Sequence, residues 1–147
     1  MIAELSPPQI EQLLHEQVVG RIGCHSRGRT YVVPVTYAYA DGAILSHTGN
    51  GLKVQMMREN PSVCFEVEDL ELPQWASGIV QGRYEELAGA DADAALERLK
   101  ARLGATPPAM VSMPRQGAGV YEPVTHLQRP EVMFRIVIAD KSGRCDR

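Results

Sequence analysis

Residues 31–48 constrain the fold more than any other stretch of this chain. Large apolar side chains fill alternate positions of its first half, Tyr31, Val33, Val35, Tyr37 and Tyr39. This period of two predicts a strand over residues 31–40 with one buried face. Asp41-Gly42 is a dipeptide favoured in two-residue hairpin turns, so residues 43–48 are predicted to return as a second, antiparallel strand.

Pro34 lies inside the first of these strands. Proline has no N–H and cannot donate a hydrogen bond to a neighbouring strand. The sequence therefore predicts that the strand lies at a sheet edge, contains a bulge, or loses its pairing near Pro34.

The rest of the chain predicts about six strands, connected mostly by short turns, and two or three helices. Ser6-Pro7-Pro8 is typical of a helix start, and Gly20 is the predicted end of that helix. Further strands are predicted over 21–26, 63–68, 76–87 and 132–143, with a second clear helix over 91–104. This order favours a mainly β chain with inserted helices, folded as one domain over 1–147, in a small closed or half-closed antiparallel barrel. Residues 105–130 are predicted to form a long surface segment.

Composition excludes several function classes. The net charge is -3 and the sequence pI about 5.8, so nucleic acid is not an expected partner. We expect no membrane partner, because no apolar run reaches the roughly 20 residues of a membrane span. The polar N-terminus does not resemble a signal peptide, which predicts a cytoplasmic protein with its three cysteines reduced. No metal is expected, because the four histidines lack ligand spacing.

The stretch SHTGNGLK, residues 46–53, has the composition of an anion site. Thr48 offers a hydroxyl, the glycine turn offers free N–H groups, and Lys53 stands at the predicted start of a short helix, whose dipole favours negative charge. The spacing fits neither a P-loop nor a dinucleotide fingerprint. A solvated lysine on a glycine turn remains the alternative from spacing alone. His47 is likewise either a structural histidine or a proton carrier beside this loop.

Two other features allow both a structural and a functional interpretation. Trp75, the single tryptophan, is either a packing anchor or a surface that stacks on a ligand. Glu66 and Glu68 share one face of a predicted strand and are interpreted as a solvated face.

The order of these blocks resembles the FMN-binding split barrels related to pyridoxamine 5'-phosphate oxidase, and within them the nitroimidazole-resistance-type flavoproteins. The similarity is carried by Pro-Val in the second strand, His-Thr at a strand end, a lysine five residues later, Asn-Pro, and a tryptophan before a glycine-containing strand. It covers residues 20–88 closely. The resemblance implies a six-stranded antiparallel split barrel of Greek-key topology, a homodimer, and FMN in a groove at the subunit interface.

The same resemblance implies roles for individual residues. Those expected to line the isoalloxazine are Pro34, Val35, Thr36 and Tyr37. Thr48 and Lys53 are expected to hold the phosphate, helped by the turn from Asn50 to Leu52. Trp75 and Ser77 are expected near the flavin from the opposite strand. His47 occupies a position linked to activity in the nitroimidazole branch, which makes it the candidate proton donor to a substrate.

Two departures from the oxidase pattern change the expected activity. The chain ends in ADKSGRCDR without the tail that binds substrate phosphate, so pyridoxamine phosphate oxidation is not expected. Leu52 stands where the oxidase has an arginine, so weaker FMN binding, or compensation from Arg21, Arg27, Arg29, Arg58 or the partner chain, is expected.

The predicted function is a flavin-dependent oxidoreductase that reduces a small electrophile of the nitroaromatic or quinone type, with NAD(P)H as a possible reductant. The alternatives are a non-catalytic flavin-binding or stress-response module, an F420- or haem-binding member of the same fold, and a barrel that binds no cofactor.

Overall fold

The computed structural model describes residues 1–71, 74–104 and 132–146. Its elements, in chain order, are β1 (Ile2–Glu4), α1 (Pro7–Glu16), β2 (Val19–Ser26), β3 (Arg29–Ala40), β4 (Ala43–Thr48), α2 (Leu52–Glu59), β5 (Ser62–Asp69), β6 (Ala76–Leu87), α3 (Gly89–Gly104) and β7 (Val132–Asp146). The chain is therefore mainly β with inserted helices, as the sequence predicts.

Six of the seven strands close into a ring. The strand order is β1-β7-β4-β3-β2-β5-β6, and β6 pairs with β7 to complete the barrel. Every pairing is antiparallel. Strands β2, β3 and β4 form a meander, and β5 returns beside β2, which is the Greek-key arrangement. The predicted split-barrel class is confirmed.

The two turns of the meander explain its register. Asp41 and Gly42 both have positive φ, 53° and 70°, and Ala40 pairs directly with Ala43. Arg27 and Gly28 form the same kind of turn between β2 and β3. Such turns match the twist of the strands that they join. The predicted hairpin at Asp41-Gly42 is therefore confirmed.

Strand β3 changes partners half-way along its length. Its residues 29–36 pair with β2, whereas residues 37–40 pair with β4. No described residue of β3 has a strand partner on both sides, and this opens the split in the barrel. The Tyr37 N–H donates to the Val18 carbonyl, so the alternation of the ladder directs the nitrogen of Pro34 away from β2, toward the open side. The edge interpretation of Pro34 is confirmed.

Helices α1 and α2 both contribute to the barrel core, at different places. Leu13 of α1 lies against Gly78 of β6. Helix α2 is attached near the β2–β3 turn, where the Asn60 side chain donates to the His25 carbonyl. Helix α3 packs outside the barrel, on two smaller apolar clusters formed with β3, β4 and β7.

One prediction about the N-terminal region is wrong, and one strand there was missed. Helix α1 ends at Glu16, not at Gly20, because Gly20 belongs to β2. A Cβ atom on Gly20 would lie 2.1 Å from the Phe65 ring, so the glycine serves close strand packing instead of ending a helix. Strand β1 was not predicted, and it lies outside the six-stranded ring, paired only with the end of β7.

The segment predicted over residues 105–130 lies outside the described residues. Within the described ranges, none of the three helices is long and apolar enough to cross a membrane.

Candidate functional site

The candidate site begins where β4 ends. The Gly51 N–H donates to the Gly49 carbonyl and closes a tight turn, after which α2 starts at Leu52. Three buried residues of the helix, Val54, Met56 and Met57, pack into the barrel core. Its N-cap is Gly51, which has no side chain with which to accept a hydrogen bond from the first amides. The amides of this turn are therefore available to a ligand.

Lys53 is a half-buried cation on this first turn. Burial lowers the pKa of its ammonium, and the nearby Cys24 thiol only partly opposes the shift. No carboxylate of the described residues pairs with it. An unpaired and partly desolvated ammonium is costly in the free protein, and an anionic ligand relieves that cost.

His47 lies close enough to Lys53 for that charge to lower the pKa of its imidazole, and it has one buried ring nitrogen without a partner in the described ranges. Its Nε2 has no hydrogen-bond partner within the described part of the chain. Burial lowers the pKa of the imidazole, and the Lys53 ammonium lowers it further, so His47 is neutral at neutral pH. A buried polar atom without a partner is unusual in a folded protein and is typical of a functional position.

Thr48 and Asn50 are less available than the sequence suggests. Thr48 is 8% exposed, and its hydroxyl donates to the Gly49 carbonyl at 3.0 Å, so it must rotate before it can donate to a phosphate. The Asn50 side-chain oxygen accepts a hydrogen bond from Arg58 at 3.4 Å. Both residues lie in the loop predicted to bind an anion, but each side chain already has a hydrogen-bond partner within the protein.

The predicted isoalloxazine segment is adjacent to this loop. The Ser46 hydroxyl donates to the Thr36 carbonyl at 2.6 Å, which joins β3 to β4 one residue before His47. Tyr37 differs from the expectation that side chains of this segment line a ligand. Its ring is fully buried, packs edge-on against Phe65, and donates its hydroxyl hydrogen to the Leu14 carbonyl. The side chain of Tyr37 is therefore not available to a ligand.

The other residues of this segment differ in accessibility. Pro34 is exposed at the open edge of β3, whereas Val35 and Thr36 are buried. Residues 34–36 have no partner among the described strands on the side away from β2.

Trp75 and Ser77 lie far from His47 and Lys53 in the same chain. His47 pairs with Met133 of β7, and Met133 pairs in turn with Leu87, the last residue of β6. Trp75 instead immediately precedes the first residue of β6, and its half-buried side chain lines an open depression beside α1. Ten residues of strand are roughly 33 Å long, so the predicted residues form two groups at opposite ends of β6.

The arginines expected to compensate for Leu52 have other partners. Arg21 pairs with Glu66 and Glu68, two glutamates that are partly exposed and form an ion-paired face in place of a fully solvated one. The others are engaged as follows: Arg27 with Glu59, Arg58 with Glu86, and Arg29 over the Tyr31 ring. Within the described ranges, Lys53 is thus the unpaired cation of the loop.

Two residues near the site were missed by sequence reasoning. Ser46 is fully buried and joins the two strands, and a serine among the apolar residues of β4 was the signal for it. Cys24 lies near Lys53, and burial raises the pKa of its thiol, which keeps it neutral. No sequence signal could pair Cys24 with Lys53, because the contact depends on how α2 packs on β2.

A model of the family described as pyridoxamine 5'-phosphate oxidase matches residues 6–144. The chain belongs to this family. A solved structure of an FAD-binding protein from Mesorhizobium loti is 31% identical, with a TM-score of 0.76, and the alignment covers 100% of this chain and 99% of that one. A candidate 5-nitroimidazole antibiotic resistance protein from Bacteroides thetaiotaomicron has a TM-score of 0.70 at 16% identity, over 99% of this chain and 87% of its own, which shows the shared fold.

A curated relative of uncharacterised function from Rhizobium meliloti is 34% identical over 70 residues. The matched stretch is 47% of this chain and 46% of that protein, so the chain matches a little under half of the relative's length.

The residues at the loop fit a phosphate group. Lys53 supplies an unpaired positive charge, and the first turn of α2 supplies amides without side-chain caps. The unpartnered Nε2 of His47 supplies a polar atom on the same side. This donor set suits an anion that also presents a hydrogen-bonding group to His47.

Proposed function

We propose that this chain is a flavin-dependent oxidoreductase that reduces a small electrophile, of the nitroaromatic or quinone type. The observation that carries the proposal is the unpaired, half-buried Lys53 beside the unpartnered Nε2 of His47, in a chain of the pyridoxamine 5'-phosphate oxidase family. The M. loti relative, described as FAD-binding, supports a flavin over the other cofactors considered for this fold.

In this proposal the ammonium of Lys53 and the amides of the first turn of α2 bind the flavin phosphate. Thr48 joins them once its hydroxyl turns away from the Gly49 carbonyl. The open side of β3, with the backbone of residues 34–37, lies beside the flavin ring. The flavin itself supplies electron and hydride transfer between a reductant such as NAD(P)H and the substrate.

The proposal includes a homodimer with the flavin at its interface. Trp75 and Ser77 lie at one end of β6, whereas His47 lies level with the other end. One flavin could contact both groups if they came from two chains related by a two-fold axis, and such a dimer would contain two equivalent sites.

His47 is the proposed proton donor to the substrate. Burial and the Lys53 charge favour the neutral imidazole, so His47 must first take up a proton before it can pass one to the substrate, and its Nε2, which the described residues do not engage, is the nitrogen that would carry that proton. General-acid groups contribute about 10²–10⁴-fold to rate. The variant His47→Asn should therefore keep its flavin and lose activity by about that factor. Full activity in this variant would remove His47 from the mechanism.

The first experiment is the visible spectrum of the full chain as purified, followed by mass spectrometry of the released small molecule. Oxidised-flavin absorbance supports the proposal, whereas a Soret band supports haem and a deazaflavin mass supports F420. Lys53→Met should lower flavin occupancy strongly. Lys141→Met is the matched control, because this lysine pairs with Glu11 on the α1 side of the molecule. Equal occupancy in both variants would overturn the phosphate role of Lys53.

Turnover separates an enzyme from a carrier module. Anaerobic addition of NADH or NADPH should bleach the bound flavin, and a nitroaromatic or quinone should restore its colour. A flavin that neither reductant bleaches would favour the non-catalytic alternative.

A further inference from the structure

The turn before α2 has a backbone that can adopt many conformations. The Gly51 N–H donates to the Gly49 carbonyl at 3.0 Å, so Asn50 is the central residue of a tight turn. The first helical hydrogen bond runs from the Gln55 N–H to the Gly51 carbonyl, which leaves the amides of residues 52–54 without a helical acceptor. Because a glycine lies on each side of Asn50, the direction of these amides depends on what holds the turn.

A chain of side-chain hydrogen bonds runs from the barrel core to this turn. The Tyr84 ring is buried against Phe134, and its hydroxyl donates to Oε1 of Glu86 at 2.9 Å. Arg58 donates to both carboxylate oxygens of Glu86, through Nε at 2.5 Å and Nη2 at 3.2 Å. Its Nη1 donates to the side-chain oxygen of Asn50 at 3.4 Å. The centre of the turn is thus connected to strand β6 through Arg58.

Glu86 sets the direction of the Arg58 guanidinium. A two-point contact between these planar groups restricts their rotation, so the third nitrogen of the fork keeps its direction toward Asn50. The same hydrogen bond from Arg58 holds the pKa of Glu86 below its ordinary value, so the pair stays charged at neutral pH. The turn therefore receives a directed N–H from Arg58, whose charge is already balanced by Glu86.

We propose that Arg58, oriented by Glu86, is a positioning residue that holds the turn at Asn50 in the conformation in which Lys53 and the first amides of α2 bind the flavin phosphate. This inference rests on the proposed flavin function. It differs from the sequence-based expectation that Arg58 supplies a compensating charge, because Arg58 acts through Asn50 and does not contact the phosphate. A turn that is already held loses less conformational freedom when the anion binds, and this strengthens binding.

The test is titration of the flavin-stripped full chain with FMN, FAD and riboflavin, followed by flavin fluorescence. Arg58→Met should weaken FMN and FAD binding by about three- to tenfold, the loss expected of one hydrogen bond, and leave the affinity for riboflavin, which has no phosphate, as it is. Arg135→Met is the matched control, because Arg135 forms a similarly exposed pair with Glu85 and should change none of the three affinities. No loss in Arg58→Met, or an equal loss for all three flavins, overturns the positioning role and leaves the proposed function in place. Failure of the unmutated chain to bind FMN and FAD overturns both.

The variant Glu86→Gln distinguishes a positioning residue from a direct ligand of the phosphate. It keeps the charge of Arg58 and loosens the orientation of the guanidinium. FMN binding should weaken as in Arg58→Met, and combining the two substitutions should add little further loss, because both break the same chain of hydrogen bonds. Tighter FMN binding in Glu86→Gln would show that the released guanidinium contacts the phosphate itself, and unchanged binding would show that Glu86 does not orient it. Either result overturns the positioning role.

Discussion

Helix α1 begins with a first turn closed by its own side chains, whereas α2 begins with a first turn left open. The Gln9 side-chain oxygen accepts hydrogen bonds from the Ser6 N–H at 2.8 Å and the Ser6 hydroxyl at 3.0 Å. At α2 the N-cap is Gly51, and the one cation of the turn, Lys53, has no carboxylate partner among the described residues.

Distant elements also supply hydrogen-bond and ion-pair partners along the rest of α1. At α1, Arg102 of α3 donates to the carbonyls of His15 and Glu16, and Lys141 of β7 pairs with Glu11. Helix α1 thus has side-chain hydrogen bonds at its first turn and at its last carbonyls, whereas the first turn of α2 has no side-chain cap from the described residues. The contrast teaches that α2 departs from local capping preference, and departures of this kind are expected at functional sites.

The largest effect on the free energy of unfolding should come from truncating a buried side chain of α2. Met57 is fully buried, and Met57→Ala should destabilise the protein by about 2–5 kcal/mol, because it deletes core contacts and leaves a cavity. Leu14→Ala should cost a similar amount at α1. Urea unfolding measures both. A small loss for Met57→Ala alone would show that α2 is not anchored through the core.

The next largest effect on stability should come from removing the side-chain hydrogen bonds at the first turn of α1. Gln9→Met removes the acceptor of both Ser6 bonds and should cost about 1 kcal/mol. Gln55→Met makes the same exchange at an exposed position of α2 and should change the free energy of unfolding by less than about 0.5 kcal/mol. Equal losses would remove the contrast between the two turns.

Opposite signs are expected for the two lysines. In the flavin-free protein, Lys53→Met should raise the denaturation midpoint, because it removes a partly desolvated and unpaired charge. Lys141→Met leaves Glu11 unpaired and should lower the midpoint. The loss in the free energy of unfolding should be less than about 1 kcal/mol, because the pair is partly exposed. A lower midpoint in Lys53→Met would show that the unpaired Lys53 charge does not destabilise the flavin-free protein.

The smallest effect should come from capping α2 artificially. Gly51 has φ of -111°, which any residue adopts, and open space at its Cβ position. Gly51→Asn should stabilise the flavin-free protein by a few tenths of a kcal/mol, since its side chain bonds the free amides, and it should weaken flavin binding. Gly51→Ala, which offers no acceptor, is the control for flavin affinity. Unchanged affinity in Gly51→Asn would show that the flavin does not use these amides.

Much of the fold could be predicted because it depends on local patterns. Alternation predicted β3, Asp41-Gly42 predicted its turn, and β6 was predicted with its observed bounds, residues 76–87. Strand β1 could not be found in this way. Three residues carry too little periodicity, and the strand forms by pairing with residues 144–146 of β7, far away in the sequence.

The candidate site shows the same limit. The loop at residues 46–53 was found from its composition and family resemblance, but the free charge of Lys53 depends on contacts between distant elements. The sequence offers Arg21 and Arg58 as equal candidates for a phosphate, and only the packed barrel shows each paired with glutamate. The burial of Tyr37 is likewise a property of the closed core.

Pro34 has a consequence for how the molecule behaves among other proteins. Residues 29–36 of β3 form an edge that could pair with any extended chain, and such edges promote aggregation. The ring of Pro34 lies on that open side and interrupts its row of donors, so a foreign strand cannot form a continuous ladder along it. Pro34 therefore lowers the tendency of this unpaired side of β3 to add a strand from another molecule.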